Sequence, residues 1–147
     1  KDEVLNIERG TYLGLLTHSG SRGMGATIAG HYTKLAKSLC KLPYQAENLA
    51  YLDLDTHEGQ EYWLAMNLAG DYASACHEVI HKKIKLALGA ELLAQVENHH
   101  NFAWKETWND QEVIVHRKGA TPAAKGVMGI IPGSMATPVF WCVEKGR

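Results

Sequence analysis

Four short stretches concentrate the side chains that could do chemistry. His18-Ser19-Gly20-Ser21-Arg22-Gly23 packs a histidine, two hydroxyls, two glycines and an arginine into consecutive positions after an apolar segment. That set offers one metal ligand, a backbone able to fold tightly around an anion, and a fixed guanidinium to hold it. Asn98-His99-His100-Asn101 places imidazoles beside amides. Adjacent residues of an extended segment point to opposite sides, so at most one of these two histidines can join His18 at a metal. His116-Arg117-Lys118-Gly119-Ala120-Thr121 supplies a planar fork and a mobile point charge before a glycine turn, the best local anion site in the chain. Gly129-Ile130-Ile131-Pro132-Gly133-Ser134-Met135 ends an apolar run in a sharp turn whose serine can bond a phosphate or a ribose. Each stretch alone also has the composition of an ordinary polar turn.

A fifth stretch competes with them. His77-Glu78-Val79-Ile80-His81 is a literal H-E-x-x-H in a helical pattern, where histidines four apart share a face and could bind zinc with Glu78 as general base. Glu97, His99 and His100 are available downstream as a third ligand. Against this, Lys82-Lys83 makes the His81 end look solvated, and a zinc peptidase leaves the other stretches without a task.

The elements that must position these groups follow from periodicity. Thr11–Thr17 reads as a short buried strand leading into a glycine-rich loop over 19–25, and Ile28, His31, Tyr32, Leu35 and Leu39 continue at helical spacing. Strand, loop and helix in that order aim backbone N–H groups at an anion. Pro43 closes the helix, and 44–58 is irregular with room for one short strand or helix. Gly59–Leu88 is the longest periodic stretch, apolar around much of its girth, which predicts a central core helix. Gly89 breaks it and Ala90–Glu97 can form a second short helix. Strands are expected at 102–108, 112–116, 127–131 and 139–143, separated by Asn109-Asp110, Lys118-Gly119, Pro122, Pro132-Gly133 and Pro138. Helices first and strands last predict an α+β fold, with mixed or antiparallel sheet layers packed with a long central helix in one domain spanning 1–147.

Composition narrows the classes. A formal charge of −1 on 147 residues gives no global basic field, so any nucleic-acid binding must come from a local patch. Cys40, Cys76 and Cys142 are few, odd in number and far apart, as expected of free thiols in a reducing, cytoplasmic setting. No apolar run nears the roughly 20 residues of a membrane span. The chain starts at Lys1, nearly in a strand, which suggests a piece of a longer protein.

Taken in order, the stretches resemble the RtcB family of GTP-dependent RNA ligases. The resemblance rests on HSGSRG at 18–23, His100-Asn101-Phe102-Ala103, HRKGAT at 116–121 and PGSM at 132–135, with Gly59-Gln60-x-Tyr62…Met66…Ala69 similar to the family's central helix. It implies joining of RNA 3′-phosphate or 2′,3′-cyclic phosphate ends to 5′-hydroxyl ends, with GTP guanylylating a histidine and manganese as metal cofactor. It further implies His18 and His100 as metal ligands, and His100, Asn101, Pro132, Gly133, Ser134 and Met135 as the guanylate pocket. Arg22, Arg117 and Lys118 are then candidates for the phosphates of GTP or RNA.

The family's Asp-x-x-Cys, Gly-Gly-Asn-His and His-Gly-Ala-Gly-Arg motifs do not occur in these residues, so no residue here is taken as the nucleophile. Val139 stands where the family usually has a serine, and Cys76-His77 where it has Asn-Arg, marking a divergent member. The chain alone is expected to lack ligase activity and to self-associate through open sheet edges. Two alternatives remain: a non-catalytic nucleotide- or RNA-end-binding module, and the zinc peptidase.

Overall fold

The computed structural model describes residues 5–143. The chain divides into two compact units, Gly14–Ala90 and the combination of Lys1–Leu13 with Glu91–Arg147. The first is helical and the second contains the strands, so the fold class is α+β as expected.

In the helical unit, α1 spans Arg22–Leu39, a 3-10 helix covers Tyr44–Leu49, and α2 runs over His57–Leu88. The loop expected over 19–25 is therefore shorter, because α1 begins at Arg22. Helix α2 starts where Thr56 accepts a hydrogen bond from the Gly59 backbone N–H at 3.2 Å, satisfying one of the donors left open at a helix start. Glu58 in its first turn and Lys85 in its last complement the helix dipole. Gly89, at φ 60°, ends the helix in the left-handed region.

The two helices pack through Tyr32 on α1 and Tyr62 on α2, with ring centroids 5.0 Å apart. Tyr32, Ala36, Ala69 and Ala73 are the buried apolar positions of this unit. Burial first, and the Glu61 carboxylate second, hold the Tyr32 phenol above its ordinary pKa. Only Gly59, Ala69 and Ala73 of α2 are buried, and Leu64 and Leu68 are 69% and 62% exposed. The expectation of a central core helix is not met among the described residues.

Gly59 sits against the chain preceding α2. A Cβ there would collide with the Asp53 carbonyl oxygen and lie 2.6 Å from its carbon. Backbone cannot rotate away as a side chain can, so Gly59→Ala is expected to destabilise the helical unit by about 1–3 kcal/mol. Thermal unfolding of the variant should show a fall of roughly 4–8 °C for each kcal/mol lost. An unchanged melting temperature would contradict this close approach.

The second unit holds two antiparallel pairs, β1 (Asn101–Trp108) with β2 (Gln111–Lys118), and β3 (Met128–Ile131) with β4 (Phe140–Val143). Asn109 and Asp110 between β1 and β2 have φ of 49° and 59°. Positive φ at both central residues is what a two-residue hairpin turn with the right twist demands. The register places Asn101 opposite Lys118 and Ala103 opposite His116. On one face Phe102, Trp104 and Glu106 alternate with the buried Ala103 on the other, and Phe102 meets Trp104 edge-on with centroids 5.3 Å apart.

Two expected elements are absent. Residues 11–17 form no strand, and Leu13, Leu15 and Leu16 are exposed. Residues 90–97 form no helix. A lone apolar run acquires strand geometry only when a neighbour supplies the ladder bonds. Eight residues beyond a left-handed stop are too few to nucleate a helix without a face to pack on.

No side chain among the described residues is fully buried; the buried apolar residues are Tyr32 and three alanines in the helical unit and Ala103 in the strand unit. No described helix is long and apolar enough to cross a membrane.

Candidate phosphate site at the open end of the hairpin

The β1–β2 register brings together two of the chemistry-bearing stretches, one at each end of the hairpin sequence. Asn101 opens β1, Lys118 closes β2, and they are direct partners. The Gly119 N–H donates to the His100 carbonyl at 2.6 Å, extending the ladder past the last strand residues. His100, Asn101, Lys118 and Gly119 line an open depression of about 480 Å³, within the usual size range of small-ligand sites. The residue types that line it, an amide, a lysine and an imidazole, are ones that can bind a phosphate or a nucleotide.

Arg117 is held differently from its neighbour. Its two terminal nitrogens donate to the two Glu106 carboxylate oxygens at 2.5 and 2.9 Å, and its guanidinium carbon lies 5.1 Å from the Trp104 ring centroid. Such a bidentate, stacked arrangement uses the planar fork fully and crosses the strands to reach a carboxylate four positions from its direct partner, Phe102. Hydrogen bonding from Arg117 holds the Glu106 carboxyl below the ordinary carboxylate value, against a smaller opposing effect of burial.

A group whose pKa is depressed on folding contributes stability above its unfolded value and loses it as pH falls through the folded one. The hairpin is therefore expected to hold steady from neutral pH to just above the ordinary carboxylate range, then loosen on further acidification. Fluorescence of Trp104 followed against pH should show this, and Glu106→Gln should remove the acid dependence. An acid transition that survives in Glu106→Gln would locate the effect elsewhere.

The third stretch is tied to the same region by Asn98, which the sequence placed in a chemistry-bearing stretch but gave no role of its own. Asn98 donates from its amide nitrogen to the Met128 carbonyl at 2.9 Å, and its amide oxygen accepts from the Ile130 N–H at 3.0 Å. One side-chain amide thus stands in for a neighbouring strand along β3. It fixes the strand that leads into Pro132-Gly133-Ser134-Met135 to the segment two residues before His100. No local signal announces this, since the contact spans 30 residues of chain. The turn itself is exposed, with the Ser134 N–H donating to Thr137 Oγ1 at 2.5 Å.

His18 and Arg22 belong to the helical unit and are both exposed. Arg22 opens α1 with φ 43°, and the preceding Ser21 makes no side-chain capping bond. Ser19 Oγ is buried without a hydrogen-bond partner. An open helix start beside an unsatisfied hydroxyl keeps the donors an anion would take.

His77 and His81 of α2 are also in this unit. Their Nε2 atoms lie 3.1 Å from the Ser19 carbonyl oxygen and 2.8 Å from Thr17 Oγ1. Among the described residues, no three His, Cys, Asp or Glu side chains cluster as a metal would require. The described residues therefore assemble neither the zinc triad nor a full manganese site.

Comparison with known proteins agrees with the motifs. The family model described as tRNA-splicing ligase RtcB matches residues 2–147. The RNA-splicing ligase RtcB of Escherichia coli K12 is 33% identical over 142 residues, covering 86% of this chain and 34% of that protein. The tRNA-splicing ligase RtcB of Nanoarchaeum equitans is 31% identical over 159 residues, covering 90% of this chain and 33% of that protein. That of Methanococcus maripaludis is 28% identical over 175 residues, covering 95% and 36%. The chain spans about a third of the length of these three relatives. A family match that runs through nearly every residue, and through all four stretches, places the chain in the RtcB family.

Proposed function

We propose that these residues form part of an RNA ligase that joins 3′-phosphate or 2′,3′-cyclic phosphate ends to 5′-hydroxyl ends by way of a guanylylated histidine. The nucleophilic histidine lies outside the 147 residues. The observation that carries the reading is that His100, Asn101, Lys118 and Gly119 line one depression at the hairpin end. Phosphoryl transfer asks little covalent chemistry of a protein and depends on positioning and charge neutralisation. Lys118 supplies the mobile charge there, and Asn101 an amide able to orient a nucleotide or ribose.

Within the same unit, Asn98 sets the approach of the strand that carries Pro132, Gly133, Ser134 and Met135, the other members of the guanylate pocket. GTP is the nucleotide of this reading. His18 and His100 are its manganese ligands, and the metal would neutralise phosphate charge when bound. Arg22, at the start of α1, is the phosphate contact in the helical unit. Arg117, already paired with Glu106, contributes through the shape of the hairpin unless RNA displaces that carboxylate.

The test is end joining by the full-length protein, supplied with GTP, manganese and RNA bearing 3′-phosphate and 5′-hydroxyl ends. Joined product is expected, with little or none from the 147 residues alone. Binding of RNA ends without product would favour a non-catalytic end-binding module instead.

The 147-residue chain is also expected to self-associate. Its two strand pairs leave open edges, and Leu64, Leu68, Trp108 and Phe140 are all more than 60% exposed. Sedimentation should show concentration-dependent oligomers, and a monomer at all concentrations would contradict this.

A further inference from the structure

His77-Glu78-Val79-Ile80-His81 is the one chemistry-bearing stretch that the ligase reading leaves without a task. The structure gives it one. His77 Nε2 is 3.1 Å from the Ser19 carbonyl oxygen, and His81 Nε2 is 2.8 Å from Thr17 Oγ1. Both histidines are partly buried, and all four residues lie in the same compact unit.

The spacing explains the fit. Residues four apart on a helix share a face and rise about 6 Å along it. Two residues of nearly extended chain cover about 6.6–7.2 Å. A helical i, i+4 pair therefore meets alternate residues of a segment running alongside, here in opposite directions, and leaves His18 bracketed between the two attachment points. A carbonyl oxygen can only accept, so His77 must carry its proton on Nε2. The Thr17 hydroxyl can donate or accept, and it leaves the His81 tautomer open.

We propose that His77 and His81 are positioning residues, a two-point clamp by which α2 sets the backbone that presents His18. The role of His18 rests on the ligase reading, whereas the clamp itself rests on the two hydrogen bonds. It also accounts for the H-E-x-x-H spacing without zinc, because both Nε2 atoms are committed to the loop and Glu78 is exposed.

The test is amide hydrogen exchange and histidine-ring NMR on the 147-residue chain. His77→Ala and His81→Ala are each expected to speed exchange at Ser19 and Gly20 roughly fivefold, the effect of losing one neutral hydrogen bond from a locally opening segment. Exchange at Ala69 and Ala73 in α2 should not change. His77→Gln and His81→Gln, whose amide nitrogen reaches the Nε2 position, should restore most of the protection. The His77 ring should be the Nε2–H tautomer.

Unchanged loop exchange in both alanine variants would overturn the clamp. So would stoichiometric zinc that shifts both rings and frees the loop amides. Should an alanine variant lose protection at Ala69 and Ala73, the tautomer decides, and a His77 proton on Nδ1 would overturn the proposal. Failure of the full-length protein to join RNA would leave these exchange rates as expected, so the two readings fail separately.

Discussion

On the proposed ligase function, replacing Lys118 with alanine in the full-length protein is expected to lower RNA end joining by roughly 100- to 1,000-fold, the loss typical of removing one charge-stabilising donor. Lys118 is exposed at the end of β2 and lines the depression with His100 and Asn101. Nothing in the hairpin's packing depends on it, so unfolding of the variant should match the parent. Its salt dependence of RNA binding should flatten by about one counterion.

Arg117 provides the contrast from the adjacent position. Arg117→Ala leaves Glu106 without its partner and Trp104 without its covering guanidinium. It should disturb Trp104 fluorescence and hairpin stability as well as joining. Arg117→Lys keeps the charge but not the fork, and it should restore neither. Adjacent cations in one motif thus carry separable tasks. Full joining activity in Lys118→Ala would refute this division.

The second large effect is expected at Gly133. A Cβ there would overlap Thr137 Oγ1 and lie 2.7 Å from the Pro138 carbonyl oxygen. Thr137 Oγ1 is also the acceptor for the Ser134 N–H, so the side chain cannot swing away without releasing Ser134. Gly133→Ala should therefore open the turn and, on the ligase reading, weaken GTP binding at least tenfold, about 1.4 kcal/mol. Thr137→Ala removes the Oγ1 overlap but also the acceptor of the Ser134 N–H, and it leaves the backbone part of the clash. Thr137→Ala alone should therefore also weaken GTP binding, and the double variant should lose less than the sum of the two, a coupling a cycle of the four proteins would measure. Equal affinity in Gly133→Ala and the parent would show that the turn does not shape the nucleotide pocket.

The sequence was most legible where the signal is local. The turn residues Asn109 and Asp110 and the alternation on either side located β1 and β2 to within two residues. Helix α2 was expected from Gly59 to Leu88 and begins at His57, two residues earlier, because Thr56 provides the cap. What the sequence hid are the contacts that join distant segments. The apolar run at 11–17 has strand composition, yet no strand forms among the described residues. Asn98 looked like part of a polar turn and proved to be a surrogate strand for β3. His77 and His81 looked like a metal pair because four-residue spacing reports a shared helix face but not what faces it. Their partners lie 58 and 64 residues away.

The exposed apolar faces fit the same view. Leu64, Leu68, Trp108 and Phe140 are exposed, so the periodicity that predicted a central core helix described more packing than the described residues supply.

The measurement that bears most directly on the site is an NMR titration of the 147-residue chain with a short RNA ending in a 3′-phosphate. Saturable shifts concentrated at His100, Asn101, Lys118 and Gly119, lost in Lys118→Ala and much weaker for the same RNA ending in a 3′-hydroxyl, are the predicted result. Shifts that spare the hairpin end, or that ignore the terminal phosphate, would contradict the assignment of this depression as the phosphate site.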